Sequence, residues 1–253
     1  PLPVFQVVEY LRSFLFGRIG FARLDALLIV SGAFGLFEKA PVLAVGGYRV
    51  ESIGEDLDLI LRLREHMLEK GDSAYRVAFV ADASCWTQVP QTLVVLSAQR
   101  RRWQRGLLQA MGRHLRMFGN PTGGASGMLA FPFLFLLEGW GVLLECLGYL
   151  LFGISLFHGA GGSDFMIAFL FVSVFCGMLL SVCAVLLEEV LQRRYPKFSD
   201  LGKLFFYATV ENLGYRQLTT LMRLWGTVDY VFSTKGWGTM KRWEPEKAHA
   251  RSH

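Results

Sequence analysis

The apolar positions fall into a sequence of different periods. Val7, Val8, Leu11, Phe14 and Leu15 recur at helical spacing, with Glu9, Arg12 and Arg18 on the other side. This predicts an amphipathic helix over residues 4–17, lying along a membrane surface. From Ala26 to Phe37 the run ALLIVSGAFGLF is rich in β-branched and small residues broken by Gly32 and Gly35. It suits a buried strand, a tight turn and a second short strand, with glycine allowing close approach of backbone to a ligand. Gly54 then precedes Glu55, Asp56 and Asp58, and Leu57, Ile60, Leu61, Met67 and Leu68 line one helical face before Gly71 stops it. Acidic residues in a first turn complement the positive helix end. Arg76 to Ala81 reads as a short strand with Val77 and Phe79 inward. Pro90 opens a long helix from Gln91 to Phe118 that carries Arg100, Arg101, Arg102, Arg105, Arg113 and Arg116.

Beyond the turn signals of Asn120, Pro121, Gly123 and Gly124 the pattern changes to continuous apolarity. Residues 128–157 are long enough to cross a hydrocarbon core of about 30 Å, interrupted only by Glu138 and Glu145. Charged groups at such depth are costly, so both are expected to face protein or a polar path. Residues 165–187 form a second crossing after the HGAGGSD turn and are followed by Arg193, Arg194 and Lys197. Basic residues on both sides of the pair predict a hairpin with both ends cytosolic. Residues 199–232 contain Lys203, Glu211, Arg216 and Arg223, which fits an interfacial helix or shallow re-entrant hairpin better than a single crossing.

Composition sharpens this picture. The 253 residues are 53% hydrophobic and 14% aromatic, with a mean hydropathy of +0.36, too apolar for an ordinary soluble domain of this length. Charged residues crowd positions 49–116. The net charge is +5, but no basic stripe interleaved with aromatics accompanies it, so nucleic acid is not the expected partner. Anionic lipid or a phosphorylated donor suits the charge better. Cys85, Cys146, Cys176 and Cys183 show no CxxC spacing, and the histidines, mostly expected in solvent, show no HExxH, so no disulfide framework or metal site is expected from them. The start, PLPVFQVVEYL, has no signal-peptide pattern and reads as the opening of a fragment.

The candidate chemistry lies in three segments: SGAFGLF at 31–37, GGYRVESIGEDLDL at 46–59 and QRRRW at 99–103. Glu55 and Asp56 are suited to capping a helix, and equally to general acid–base work on a hydroxyl. Gln99, Arg102 and Trp103 form a QxxRW pattern. Arginine offers a planar fork for phosphate, glutamine a neutral donor and indole a face for a sugar ring. A basic interfacial helix would also explain the arginines; Arg100, Arg101 and Arg105 are expected to be lipid-facing or solvated. Together the segments resemble the acceptor and catalytic portion of membrane-bound family 2 glycosyltransferases, the group of cellulose, hyaluronan and poly-N-acetylglucosamine synthases. Near the C-terminus, GWGTMKR at 236–242 is similar to the gating loop of hyaluronan-type synthases.

That resemblance implies an α/β GT-A-type half-domain followed by a helical transmembrane region. Residues 1–125 would be the cytosolic acceptor and catalytic half, 126–191 a transmembrane hairpin, and 192–253 interfacial or re-entrant helices with a basic tail. It implies inverting transfer from a nucleotide-sugar to a glycan or lipid-linked acceptor, with Asp56 as general base and Glu55 beside it. Ser31, Gly32, Gln99, Arg102, Trp103, Trp237 and Arg242 would bind substrate, the last two closing over the nucleotide. A divalent cation, magnesium or manganese, is expected with the donor, its main ligands and the DxD motif upstream of Pro1. The setting would be the cell membrane, multi-pass, with the site facing the cytosol. The alternative is a non-catalytic membrane scaffold or transporter subunit that retains the motifs.

Overall fold

The computed structural model describes residues 1–71, 76–83, 85–158, 162–192, 194–195 and 197–232. Helix is the regular element throughout these residues, and no strand occurs among them. The expected α/β half-domain is therefore corrected to a helical assembly. Residues 26–30 are extended but do not pair with another strand among the described residues. Ala26, Leu27 and Leu28 are all buried, and Ala26 and Leu28 pack in one cluster with Leu57, Leu61, Ala110, Met111, Phe131 and Leu134. The carbonyl of Asp25 accepts bonds from Arg64 and Ser126 side chains. A short apolar run reports burial, not pairing, and here helix surfaces supply the burial. Arg76 to Ala81 is likewise extended without a ladder; Val77 and Phe79 pack into two different clusters.

The chain opens with an uninterrupted helical run made of α1 (Leu2–Tyr10), a π-helical stretch Leu11–Phe16 and α2 (Gly17–Arg23). Its apolar face, Val8, Leu11 and Leu15, packs against Ala184 and Val185 of one later helix and Leu204 and Ala208 of another. The face expected on a membrane surface is thus buried in protein. A short α3 (Lys39–Ala44) leads to α4 (Glu55–Lys70). Here the sequence signals hold: three acidic residues occupy the first turn, and Gly71 ends the helix in a left-handed conformation at φ 63°. The helix is nonetheless buried on more than one face, because Leu57, Leu59, Ile60, Leu61 and Leu63 are all in the core.

The long α5 (Leu93–Arg113) starts at Thr92, whose hydroxyl accepts the N–H of Val95. It ends sooner than its expected limit at Phe118, giving way to a 3-10 turn at Leu115–Met117. Two helical runs, Ser126–His158 and Ile167–Leu191, are long and apolar enough to cross a membrane. The first contains π-helical turns and ends in α6 (Gly141–His158); the second belongs to α7 (Ser163–Leu191). Both present large apolar side chains outward, among them Leu144, Leu151, Val172 and Val190. After these come α8 (Phe198–Val210) and α9 (Tyr215–Val231), broken by a 3-10 turn and by Gly214 at φ 151°.

Helix α5 is the centre of the assembly. Gly226 lets α9 approach its backbone so closely that a Cβ there would lie 2.7 Å from the Arg101 carbonyl oxygen. Gln104 of α5 donates to the Gly139 carbonyl at 2.6 Å, and Arg223 of α9 donates to Gln104 at 3.0 Å. Glu138 and Glu145 of the first apolar run meet Arg223 and Arg216 of α9 at 3.3 and 3.5 Å. The two costly carboxylates therefore face protein cations, as the sequence led us to expect.

Candidate active site

Two separate pieces of backbone meet at Asp56. The residue stands in the first turn of α4, and its Oδ1 accepts the N–H of Leu57 at 2.8 Å. Its Oδ2 accepts the N–H of Gly32 at 3.0 Å. A Cβ at Gly32 would sit 3.1 Å from that same oxygen, so a side chain there would crowd the carboxylate. The SGAF turn, closed by the Phe34 N–H to the Ser31 carbonyl at 3.2 Å, thus presents a backbone donor to the carboxylate. Glu55 is adjacent and half-buried.

Glycine also brings the loop before α4 against α5. A Cβ on Gly106 would lie 2.9 Å from the Gly54 backbone nitrogen, and one on Gly54 would lie 3.2 Å from the Gly106 carbonyl. The loop before α4 is pinned to the same helix by Gln109, whose Oε1 accepts the N–H of Ile53 at 2.9 Å. Gln99, Arg102, Trp103, Gly106 and Gln109 follow one another at spacings of three and four, or one between the paired Arg102 and Trp103, so they share a helix face. The QxxRW pattern therefore lies on the stripe of α5 that abuts GED.

Around Trp103 the first helix supplies most of the wall. Tyr10 and Phe14 stack at 4.8 Å, and each has its ring centroid 6.3 Å from that of Trp103. Gln99 hydrogen-bonds Tyr10, while its Oε1 is buried with no partner. Burial pushes the Tyr10 hydroxyl above its ordinary value despite the charge of Arg100 nearby. Tyr215 is pushed up too, by burial and then by Glu9, to which it donates at 2.9 Å. Arg18 lies with its guanidinium 4.3 Å over Phe14. Its pKa is lowered to about 10 by burial, an effect opposed by the negative charge of Asp56.

Among the arginines of α5, Arg100 corrects the sequence expectation, whereas Arg101 is exposed. Arg100 is buried rather than lipid-facing or solvated: it donates to Glu9 at 2.7 Å and lies 4.6 Å over the Trp103 ring. Arg101 makes a two-bond pair with Asp229 of α9 at 2.8 and 2.9 Å. Arg105 also has a partner. Arg102, half-buried, has neither hydrogen bond nor ion pair among the described residues.

A charge network lies beneath Asp56 that the motif reading missed. Asp58 is fully buried. It accepts Arg62 Nε at 2.9 Å, and Arg62 also donates to the Gly47 carbonyl at 2.6 Å. His114 sits between Asp58, at 3.4 Å, and Glu65, at 2.8 Å, so this histidine is buried rather than solvated. The residues missed in sequence are Tyr10, Phe14, Arg18, Glu9, Arg100 and Asp58. One cue was available, the i,i+4 spacing of Phe14 and Arg18, which suits stacking. Of the residues expected to bind substrate, Ser31, Gly32, Gln99, Arg102 and Trp103 belong to these neighbouring segments; Trp237 and Arg242 lie outside the described residues. Among the described residues no group of three or more His, Cys, Asp or Glu could hold a metal ion. They do not assemble a donor set for a divalent cation.

A family model described as glycosyl transferase family group 2 matches residues 5–185. The chain belongs to this family. It is similar to the poly-beta-1,6-N-acetyl-D-glucosamine synthase of Staphylococcus aureus (strain COL), 37% identical over 81 residues, which are 32% of this chain and 18% of the relative. The synthase of the same name from Staphylococcus epidermidis is 33% identical over the same length. The match thus spans 18% of these curated relatives. No solved structure matches the chain.

Proposed function

We propose that the chain carries the acceptor side of an inverting glycosyl transfer, from a nucleotide-sugar to a growing glycan or glycoconjugate. The observation that carries this reading is the meeting of the three motif segments: Gly32 N–H on Asp56 and Gly54 against Gly106 of the QxxRW helix. Asp56 would take the proton of the acceptor hydroxyl as its oxygen attacks the anomeric carbon. The bond from that carbon to the donor phosphate breaks with its electron pair, leaving the proton on the Asp56 carboxyl and the charge on the nucleoside diphosphate. The two N–H groups on Asp56 hold its orientation, and Glu55 lies beside it. Arg102, without a hydrogen-bond or ion-pair partner among the described residues, is suited to the leaving diphosphate, and Trp103 to the face of the acceptor sugar. A divalent cation would neutralise donor phosphate when bound, held by groups other than those described.

Residues 1–125 would carry this chemistry on the cytosolic face of the cell membrane, with 126–191 as a hairpin of two spans. Residues 192–253 would form the following helices and basic tail. The lengths and hydropathies of Ser126–His158 and Ile167–Leu191 support the crossings, and the outward apolar side chains support contact with lipid. Coupling of transfer to translocation is compatible with α5 touching both Asp56's loop and the first span. The test is donor turnover by the full-length protein in detergent, with nucleotide-sugars and short glycans supplied. Release of nucleoside diphosphate with extension of the acceptor is expected; its absence across donors would leave a scaffold retaining the motifs.

A further inference from the structure

Arg18 stands apart from the arginines around it. Arg12, Arg62, Arg64, Arg100, Arg216 and Arg223 each hold a carboxylate or carbonyl. Arg23, Arg76 and Arg116 are exposed, so water meets their donors. Arg18 and Arg102 are half-buried and have neither hydrogen bond nor ion pair among the described residues. A guanidinium carries five N–H donors in a fixed fork, and withdrawing them from water without an acceptor is unfavourable. The guanidinium lies 4.3 Å over the Phe14 ring, a contact that satisfies none of its donors.

The position of this open fork matters. Arg18 is close enough to Asp56 for the carboxylate charge to act on it, and Phe14 connects it to Trp103. In a transfer of the proposed kind, the attacking and leaving oxygens flank one carbon, so a carboxylate and a diphosphate must come close together. Like charges at that separation repel unless a cation stands between them. We propose that Arg18 is a second anion-binding side chain of this site, taking a phosphate of the donor's nucleoside diphosphate alongside Arg102. The inference rests on the transfer reading of Asp56 and its surroundings. Arg18 belongs to the first helix, so donor binding would join that helix to the GED and QxxRW segments. Phe14 holds the guanidinium carbon 4.3 Å from its ring centroid and takes none of the fork's donors, which are left for an incoming phosphate.

The test uses the full-length protein in detergent with magnesium present. Uridine, guanosine and adenosine diphosphates, and the corresponding nucleosides, are titrated calorimetrically into unmodified protein and into Arg18→Gln and Arg18→Lys. Arg18→Gln is expected to weaken the preferred nucleoside diphosphate roughly tenfold or more, and Arg18→Lys by less, with nucleoside binding unchanged in both. Diphosphate affinity equal to that of unmodified protein in Arg18→Gln overturns the inference. Should Arg18→Gln fail to fold, unchanged affinity in Arg18→Lys overturns it instead. If unmodified protein binds none of the diphosphates, the transfer reading falls and takes this inference with it. If Asp56→Asn still transfers sugar while Arg18→Gln loses diphosphate, only the base assignment falls.

Discussion

The guanidinium of Arg100 lies 4.6 Å over the ring of Trp103 and is held there by Glu9 at 2.7 Å. Glu9 Oε2 also accepts the Tyr215 hydroxyl, so one carboxylate of the first helix ties α5 to α9. A desolvated cation over an indole contributes up to about 2 kcal/mol. The larger consequence is geometric. The plane of Trp103 is set from below by an ion pair whose other half is remote in sequence.

Glu9→Gln tests that arrangement. The change keeps the shape but leaves the Arg100 guanidinium buried without its counter-charge, which costs about 2–4 kcal/mol. Tyr215→Phe removes one hydrogen bond to a charged group and costs about 1–2 kcal/mol. Thermal unfolding in detergent should therefore rank Glu9→Gln below Tyr215→Phe and both below the unmodified protein. Sugar transfer to acceptor should follow the same order. A Tyr215→Phe variant as damaged as Glu9→Gln would mean that the ion pair is not the anchor.

Asp56→Asn addresses the chemistry. Asparagine can accept one of the Gly32 and Leu57 N–H groups through its carbonyl oxygen while its NH2 faces the other, and it cannot act as a base at neutral pH. Turnover in the full-length protein should fall by at least about 10²-fold, while the one N–H left facing the amide costs only about 1–2 kcal/mol of stability. Near-normal turnover would remove Asp56 from the role.

Some of this was legible in the chain and some could not be. The limits of α4 followed from Gly54, its acidic first turn and Gly71, and both long apolar runs were visible in composition alone. The apolar, β-branched residues of the extended segments at 26–30 and 76–81 report burial, whereas a ladder needs a partner strand, and none occurs among the described residues. The QRRRW run shows a second limit. Each helical residue turns by about 100°, so three identical arginines meet three surroundings: Arg100 finds Glu9, Arg101 finds Asp229 and Arg102 finds neither. Their identity in sequence carries no information on that division. Asp58, two places after Asp56, is likewise committed to Arg62 and His114 by packing that the motif does not encode.

The Gly54–Gly106 contact makes a prediction with an unusual sign. Alanine in place of a helix-interior glycine ordinarily stabilises by about 0.5–1 kcal/mol. A Cβ at Gly106, however, would meet the Gly54 nitrogen at 2.9 Å, and backbone cannot rotate away. Gly106→Ala should destabilise by about 1–3 kcal/mol and lower transfer, since α4 must back away from α5. Gly148→Ala is the control, because nothing lies within 4 Å of a Cβ there. Equal behaviour of the two variants in thermal unfolding would contradict the packing.

Glu211 supplies a pH prediction. It is buried and paired with Arg12 and Ser181, with Glu9 and Arg216 also acting on it. Burial dominates and pushes its carboxyl above the ordinary value of 4.5. The folded state then holds this proton more tightly than the unfolded one. The resulting stabilisation is complete below pH 4.5 and is lost as pH rises through the folded value. Glu211→Gln lacks this loss, so its stability relative to the unmodified protein should improve as pH is raised from acid towards neutrality. A constant difference across that range would show that Arg12 and Ser181 cancel the burial, and a relative loss with rising pH that they outweigh it.

The junction of α5, α9 and the first apolar run makes the last prediction. Arg223 donates through Nε to Gln104 at 3.0 Å, and through Nη2 to the Glu138 carbonyl and to its carboxylate at 3.3 Å. Gln104 in turn donates to Gly139 at 2.6 Å. Glu138→Gln removes one charge from this set, but the Arg223 guanidinium keeps Gln104 and the carbonyl, and the new amide can still accept. Its cost should be below about 1 kcal/mol, as for an ion pair half open to its surroundings. Arg223→Gln strips the Gln104 oxygen, the Glu138 carbonyl and the carboxylate together, and should cost about 2–3 kcal/mol. A double-mutant cycle read by unfolding in detergent separates these terms, because the pairwise coupling is what remains after both single losses are subtracted. Small coupling beside a large Arg223→Gln loss is the expected result. Near-equal single losses with coupling of the same size would instead make the Glu138–Arg223 ion pair the main link, and Gln104 a bystander.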